Sequence, residues 1–387
     1  MIKTILDNDL YKFTMQQAVY RLYPKARVRY KLTNRGGTPF PAGFAGLIKD
    51  RVAKMADLRL TREERVWLEK TCPYFTKAYL DYLSSYRYDP DQVEISQQGN
   101  TLSVGVQGPW CRTILWEVPL MAIISETYFK VISPEILSRQ AIRARNQTKA
   151  QIMSKAGLTF VEFGTRRRFS AANHAHFLED VLALEHHSMV GTSNVHFARI
   201  YGLAPMGTLA HEWIMFHAAL GDYATANTAS MDAWLKVYPD VLGIALTDTF
   251  TTKLFLKAFT LDRANRFSGV RHDSGDPETF ARDILAHYRE KGIDPGTKAI
   301  VFSDGLNVER AMKIHAFCRG EVKDSYGIGT NLTNDVGVDP LNIVIKLFWV
   351  QPEPGMEGRF TVKLSDDPGK HTGDPGELLR CRNAFGL

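Results

Sequence analysis

The stretch FSGVRHDSGDPETFARDILAHYREKGIDPGTKAIVFSDGLNVERAMKIHAF, residues 267–317, contains two successive strand–helix units. An apolar run at 267–271 precedes a helical pattern at 277–291. A second apolar run at 299–303 precedes another helical pattern at 308–317. Such alternation predicts a parallel sheet, because parallel neighbours need helical crossovers between them.

The same rhythm extends back toward the middle of the chain. Residues 158–163 read as a buried strand, and an apolar run at 242–247 precedes a helical pattern at 251–259. A further helix is expected from Ser133-Pro134-Glu135 to Gly157, with proline near its start and glycine at its end. The alternation predicts an α/β fold with a parallel sheet over residues 121–339, arranged as an α/β barrel of the TIM type.

The two ends of the chain are richer in strand patterns than its middle. Asp9 is expected to cap a first helix, and alternating or hairpin-like segments follow it. The predicted elements are a helix at 10–22, strands at 27–32, 342–350 and 359–364, and a hairpin at 94–106 around Gly99-Asn100. We therefore predict an N-terminal α+β domain over residues 1–120, completed by residues 340–387.

The composition of the chain indicates the kind of partner it binds and the compartment in which it works. The chain has 387 residues, 44% of them hydrophobic, and a net charge of +6 from 48 basic and 42 acidic residues. This excess suits an anionic partner, and a polyphosphate metabolite explains it as well as a nucleic acid does. The four cysteines show no metal-binding spacing, so free thiols are expected. Acidic residues near the start and the lack of a long apolar segment predict a cytoplasmic, non-membrane protein.

Unusual polar groups follow the predicted parallel strands, where chemistry collects in α/β folds. The segments are EFGTRRR at 162–168, Asp248, RHDSGDP at 271–277, SDGLN at 303–307 and GIGT at 327–330. Each alone has an ordinary explanation, since adjacent arginines are usually a solvated face and glycine-rich segments are usually turns. Their repetition at successive strand ends indicates a pocket, with arginines for phosphate or carboxylate, acidic groups for ribose hydroxyls, and glycine-rich loops for phosphate.

The segment GTLAHEW, residues 207–213, places His211 at the start of a predicted helix. A neutral imidazole is a competent nucleophile toward phosphorus, and a helix N-terminus favours the resulting negative charge. The alternative for an isolated histidine is that it caps the helix or packs in the core.

These segments resemble, in order, the motifs of nicotinate phosphoribosyltransferases. The resemblance also includes DNDLYKFTM at 7–15, GTSN at 191–194 and KLSDDPGK at 363–370, and it covers nearly the whole chain. It implies that nicotinate and phosphoribosyl pyrophosphate (PRPP) give nicotinate mononucleotide and pyrophosphate, with ATP hydrolysed through a phosphohistidine. It further implies that the barrel is irregular and partly open, that Mg²⁺ travels with ATP and PRPP, and that the protein is a homodimer.

The resemblance assigns roles residue by residue. His211 resembles the phosphorylated histidine, Asp248 the carboxylate that orients it, and Arg271 a further catalytic group that contacts the base. The substrate-binding residues that it implies are Tyr11, Phe163, Arg166, Ser193, Asp273, Asp304, Gly305, Gly329 and Thr330. Tyr11 and Phe163 resemble a pair of rings around the pyridine, with Tyr11 from a neighbouring subunit. Arg35, Lys363 and Lys370 resemble basic groups on the pyrophosphate side, although solvated surface cations are a serious alternative for these three.

Ser193 bears on the choice of substrate. Related nicotinamide enzymes carry Asp at this place, and a carboxylate there would repel nicotinate, so Ser193 favours the acid. A turn hydrogen bond by Ser193 would be compatible with either base. The competing hypotheses are a nicotinamide or quinolinate phosphoribosyltransferase, a non-catalytic phosphate-ligand binding protein on this fold, and a nucleic-acid binder.

Overall fold

The structure is a computed structural model that describes residues 2–387, and these residues form two β-sheets with helices around them. The strands are Arg27–Asn34 (β1), Val93–Gln98 (β2), Thr101–Pro109 (β3), Phe160–Glu162 (β4), Met189–Thr192 (β5), Ile244–Leu246 (β6), Gly269–His272 (β7), Ala299–Phe302 (β8), Lys323–Ile328 (β9), Ile343–Gln351 (β10) and Arg359–Phe360 (β11). The α-helices are Leu10–Leu22 (α1), Phe44–Ala53 (α2), Arg62–Thr71 (α3), Lys77–Ser85 (α4), Trp110–Thr113 (α5), Glu117–Ile132 (α6), Arg139–Lys155 (α7), Ala171–Leu182 (α8), Val195–Tyr201 (α9), His211–Leu220 (α10), Tyr223–Val237 (α11), Thr252–Ala258 (α12), Leu261–Arg266 (α13), Pro277–Glu290 (α14), Val308–Cys318 (α15), Thr330–Thr333 (α16) and Pro375–Phe385 (α17).

The middle of the chain forms a six-stranded parallel sheet in the order β5-β4-β9-β8-β7-β6. Every neighbouring pair in it is parallel, and helices connect its strands. In the described part of the chain β5 and β6 do not pair with each other, so the sheet stays open and no closed barrel forms. The α/β class and the parallel sheet that the strand–helix alternation predicts are confirmed, and the predicted barrel is present only as this open sheet.

The second sheet joins the two ends of the chain. Its order is β11-β10-β1-β3-β2, and all its neighbouring strands are antiparallel. Strand β1 lies at the centre and pairs along its length with β10, from Arg27 opposite Gln351 to Asn34 opposite Ile343. The hairpin β2–β3 turns at Gly99-Asn100, as its sequence predicts. This sheet confirms that N- and C-terminal segments build one strand-rich unit, whereas the domain boundaries at 120 and 340 stay predictions.

Three local predictions are wrong. Helix α7 begins at Arg139 and not at residues 133–135, because Ser138 caps it by accepting from the Ala141 N–H, while Ser133 ends α6 with a left-handed φ of 43°. Strand β11 ends at Phe360, since the chain beyond it leaves the sheet. Asp9 stands before α1 but makes no side-chain cap, because its carboxylate accepts a hydrogen bond from Ser193.

Helix α10, which carries His211, is buried on all sides over residues 211–219. An aromatic cluster packs it against the N-terminal segment, with the Trp110 and Phe216 rings 4.3 Å apart and the Tyr23 and Phe216 rings 4.6 Å apart. A helix that is buried on all sides is held by its surroundings rather than by one face. This packing fixes the first turn of α10, and therefore His211, between the two sheets.

Two smaller predictions bear on the environment of the protein. All four cysteines are buried and unpaired, which confirms the free thiols. Among the helices of residues 2–387, none has both the length and the apolar character that a bilayer span demands.

Candidate active site

Two adjoining cavities lie where the parallel strands end. The first, which we call the His211 cavity, has walls from both sheets and is lined by Tyr11, Arg35, Glu117, Arg166, Arg167, Ala210, His211, Glu212, Met215, Arg271, Asp273, Ser303, Asp304, Gly305, Val344, Ile345, Lys346, Leu347, Lys363 and Lys370. The second, the Phe163 cavity, is lined by Phe163, Gly164, Arg166, Arg167, Arg271, Asp273, Ser303, Gly305, Leu306, Asn307, Gly327, Gly329, Thr330 and Asn331. The wall between them contains the residues that line both, which are Arg166, Arg167, Arg271, Asp273, Ser303 and Gly305. The loops after separate strands therefore converge, as the sequence predicts.

His211 is the first residue of α10, and its ring lines the first cavity although the residue is only 5% exposed. Its Nε2 donates to Oδ1 of Asp248 at 2.8 Å, because an ionised carboxylate can only accept, and Oδ2 of Asp273 lies 3.6 Å from the same nitrogen. Within residues 2–387, Nδ1 of His211 makes no hydrogen bond. Burial, together with the charge of Lys363, lowers the pKa of His211 to about 4 despite Asp248. The imidazole is therefore neutral at pH 7, with Nδ1 free to act as a nucleophile.

Asp248 follows β6 and is completely buried. Its second oxygen, Oδ2, lies 2.8 Å from Nζ of Lys363 and accepts from the Ser274 hydroxyl at 2.6 Å. Burial opposes ionisation, but His211 and Lys363 outweigh it and hold the pKa of Asp248 well below its usual value. Asp248 thus fixes one tautomer of His211 and keeps a negative charge next to Nε2, as in other His–carboxylate pairs.

Arg271 and Asp273 form a second charged unit beside this pair. Nη2 of Arg271 lies 3.0 Å from Oδ1 of Asp273, and its Nε donates to the Ser303 hydroxyl at 2.8 Å. Ser303 in turn donates to Oδ1 of Asp273 at 2.8 Å. Burial acts against ionisation of Asp273, yet Arg271 and His211 lower its pKa below the usual value. Both side chains are therefore charged and fixed in the shared wall.

The three consecutive arginines divide between binding and structure. Arg166 and Arg167 line both cavities. Burial and the neighbouring Arg166 lower the pKa of Arg167 to about 10. Arg168 is fully buried elsewhere, where it forks onto Asp7 with two bonds of 2.8 Å and also pairs with Glu126 at 2.9 Å. Two of the three thus supply positive charge to the site.

Phe163 owes its position to a neighbouring glycine. A Cβ on Gly327 would come within 2.4 Å of the Phe163 ring, so only glycine lets the ring lie against β9. Gly329 and Thr330 follow the same strand and line the Phe163 cavity with it. Gly305, after β8, lines both cavities and adopts a left-handed φ of 54°.

The remaining predicted residues differ in their placement. Asp304 pairs with Lys370 in the His211 cavity, and Arg35 lies exposed at its edge. Tyr11 lines this cavity with its hydroxyl buried and unpartnered in the described residues, whereas Phe163 lines the other. These two rings therefore do not form a sandwich within one chain.

Ser193 and Asp248 do not line either cavity. Ser193 is buried, and its hydroxyl donates to Asp9 at 2.8 Å. This is a tertiary bond between side chains 184 positions apart and not the turn hydrogen bond that was the alternative for this serine. The Asp9 carboxylate therefore lies next to Ser193, within hydrogen-bond distance of its hydroxyl.

Sequence reasoning missed Lys346, Glu117 and Glu212, which also line the His211 cavity. Burial and the nearby Lys363 lower the pKa of Lys346 to about 8, and it makes no ion pair with any described residue. A single lysine inside the apolar run NIVIKLFWV was the available signal for it. Glu212 stood inside the GTLAHEW motif, whereas nothing local distinguished Glu117.

Comparisons with known proteins show the family of this chain. Residues 158–387 match the nicotinate phosphoribosyltransferase (NAPRTase) family model, and residues 6–125 match the model of its N-terminal domain. The chain is 54% identical to the nicotinate phosphoribosyltransferase of Desulforapulum autotrophicum and 49% identical to that of Chromohalobacter salexigens, with at least 98% of each chain covered. The crystal structure of nicotinate phosphoribosyltransferase from Porphyromonas gingivalis superposes with a TM-score of 0.97 at 41% identity, over 100% of both chains. The chain belongs to the nicotinate phosphoribosyltransferase family.

Proposed function

We propose that this protein transfers the phosphoribosyl group of PRPP to nicotinate, which gives nicotinate mononucleotide and pyrophosphate for NAD biosynthesis. Family membership supports the reaction. One observation carries the proposal on the chemical side: a neutral histidine with a free Nδ1 lines a cationic cavity built from the loops after several parallel strands. A non-catalytic binding protein would not need that histidine, its carboxylate partner or the free nitrogen.

ATP takes part in the reaction by phosphorylating His211. Nδ1 attacks the γ-phosphorus, and the Nδ1–P bond forms while the bond from phosphorus to the ADP oxygen breaks. The ring then carries positive charge, which Asp248 stabilises through the Nε2–H bond of 2.8 Å. Arg271, Lys363 and Lys346 are close enough in the same cavity to offset the charge of the phosphates. Hydrolysis of the phosphohistidine releases inorganic phosphate and restores the histidine.

The transfer itself needs positioning more than covalent chemistry. Pyrophosphate leaves the anomeric carbon of the ribose, the carbon gains oxocarbenium character, and the pyridine nitrogen bonds to it. Phe163 supports the pyridine, and Arg166 attracts its carboxylate. Asp273 and Asp304 face the ribose hydroxyls, and the loops with Gly305, Gly329 and Thr330 hold the 5′-phosphate. Arg35, Lys370 and the additional Lys346 receive the pyrophosphate, whereas Lys363 acts mainly on Asp248.

Mg²⁺ is proposed to arrive with ATP and PRPP as part of the substrates. His211, Asp248 and Asp273 are a cluster with ligand atoms close enough for one ion, found among residues 2–387. However, Lys363 and Arg271 already pair with its two carboxylates, so the cluster does not fit a cation. We route no step through a protein-bound metal.

A homodimer is proposed because the rings of Tyr11 and Phe163 lie in different cavities of one chain. If Tyr11 of a second copy supplied the other ring of the sandwich, each site would need two chains. Sedimentation of the purified protein measures the assembly, and a monomer at full activity contradicts it.

The decisive assay gives the purified protein nicotinate, PRPP and Mg²⁺, with and without ATP. We expect nicotinate mononucleotide, ATP hydrolysis that accompanies it, and much slower turnover of nicotinamide or of quinolinate, whose use would release carbon dioxide. His211→Ala should lose ATP coupling and keep a slow, ATP-independent transfer. Full ATP stimulation in that variant would remove His211 from the mechanism, and a preference for nicotinamide would change the substrate.

A further inference from the structure

A buried charge network connects the two ends of the His211 cavity. Lys12, in α1, is 0% exposed, and its Nζ lies 2.5 Å from Oε2 of Glu117 and 2.7 Å from Oε1 of Glu212. Glu117 begins α6, and Glu212 is the second residue of α10. Both carboxylates line the cavity, while Lys12 lies behind them.

The two glutamates of this network lie next to two residues with different proposed roles, Arg166 and His211. Oε1 of Glu117 lies 3.5 Å from Nη1 of Arg166, the arginine proposed to attract the substrate carboxylate. Glu212 directly follows His211 in the chain. Its Oε2 is buried and makes no close hydrogen bond in residues 2–387, and the Tyr30 hydroxyl on β1 is the neighbouring group that interacts with this carboxylate. An unpaired buried oxygen is costly, so this atom is prepared to accept a proton or a donor.

The charges of the network balance when His211 carries no phosphoryl group. Lys12 and Arg166 supply two positive charges, and Glu117 and Glu212 supply two negative ones. Burial raises the pKa of Glu212, whereas Lys12 and Arg166 outweigh burial and lower the pKa of Glu117. Glu212 is therefore the carboxylate that protonates first when negative charge is added nearby.

We propose that Glu117 is a positioning residue that couples phosphorylation of His211 to the binding of the substrate carboxylate by Arg166. This inference rests on the proposed function, which supplies the phosphoryl group. That group brings about 1.5 to 2 negative charges into the cavity that Glu212 lines, so Glu212 takes one proton from solvent. Lys12 then pairs with Glu117 alone. Arg166 loses its counter-ion and is free to fork onto the carboxylate of nicotinate.

The test compares the apparent KM for nicotinate with and without ATP, at saturating PRPP and Mg²⁺. Couplings between two sites typically change affinity by about 5- to 150-fold, and we expect a KM ratio in this range for the unmodified protein. In Glu117→Gln the ratio should fall to about 1, because the KM without ATP drops toward the value with ATP. Labelling of His211 from γ-³²P-ATP should continue, which separates loss of coupling from loss of phosphorylation.

Glu212→Gln is the second variant, since its amide imitates the protonated acid and should also remove the ATP effect. Asp7→Asn is the matched control, because Asp7 pairs with Arg168 in a comparably buried network that does not line the cavity. It should keep the ratio of the unmodified protein. The idea is overturned if both glutamine variants keep that ratio, or if they raise both KM values equally, as a purely structural role would. A native enzyme that forms product with a ratio of 1 also overturns it, whereas no product at all refutes the proposed function first.

Discussion

Lys363→Met tests whether the neutral state of His211 is an electrostatic property of this site. Lys363 and Asp248 are almost completely buried, with Nζ and Oδ2 2.8 Å apart. The positive charge of Lys363 is, after burial, the largest cause that lowers the pKa of His211 to about 4. Methionine has a similar length and no charge, so the variant leaves Asp248 with His211 as its main ionic partner.

The 2.8 Å contact joins Lys363 to Asp248, and unit charges at that distance attract by about 6 kcal/mol at an effective dielectric constant of about 20, before desolvation is subtracted. This attraction holds the lysine charge beside the His211–Asp248 pair, and the variant removes it. Removal of one nearby charge typically moves a pKa by about 1 to 3 units. Loss of a cation favours protonation, so the pKa of His211 rises. Because only the neutral ring attacks phosphorus, the rate of phosphorylation should begin to fall about 1 to 3 pH units higher than in the unmodified protein.

The assay measures single-turnover transfer of label from γ-³²P-ATP to the protein over the acidic pH range. Lys370→Met is the matched control, because Lys370 lies in the same cavity but pairs with Asp304. In Lys370→Met the rate of labelling should fall at the same acidic pH as in the unmodified protein. If the rate in Lys363→Met also falls at that pH, or at a lower one, the assignment of the low His211 pKa to Lys363 is refuted.

Two further substitutions test the walls of the site. Gly327→Ala places a methyl group within 2.4 Å of the Phe163 ring, so the ring should lose its position against the pyridine. Steady-state kinetics should show a KM for nicotinate about 2- to 10-fold higher, whereas labelling of His211 from γ-³²P-ATP should be unchanged. Ser193→Asp places a carboxylate against the buried Asp9. Repulsion raises the pKa of this pair in the folded protein above its unfolded value, so stability is retained in acid and lost as pH rises. The melting temperature should therefore fall from about pH 4 to about pH 7, and a pH-independent melting temperature contradicts the close contact.

The convergence of the loops was predictable because it depends on local patterns. Apolar runs followed by helical periodicity identified β7, α14, β8 and α15 to within two residues at their ends. Once a parallel sheet is inferred, the residues after its strands must share one edge. The rule therefore places Asp273, Asp304 and Gly305 together without any knowledge of tertiary contacts, and the structure confirms it.

The partners of charged residues were not predictable in the same way. Lys12 lies about two hundred positions from Glu212, and neither neighbourhood indicates the pairing. Asp9 looked like a helix cap, but Ser193 was a tertiary alternative for the same carboxylate. In the row of three arginines, Arg168 is structural because Asp7 and Glu126 reach it, which no local rule reveals.

The protonation state of His211 depends on how the two sheets meet. Strand β11 stops at Phe360, and the chain then leaves the antiparallel sheet, where the Leu364 N–H donates to the carbonyl of Thr249 at 2.9 Å. Because Thr249 follows Asp248 and Leu364 follows Lys363, this bond places Nζ of Lys363 close to the Asp248 carboxylate. A lysine just beyond the antiparallel sheet thus sets the charge of a histidine whose carboxylate partner, Asp248, follows a strand of the parallel sheet. A shift of the C-terminal segment by a few ångströms would weaken this pair and make His211 more basic, so correct docking of the two chain ends is itself a condition for a neutral nucleophile.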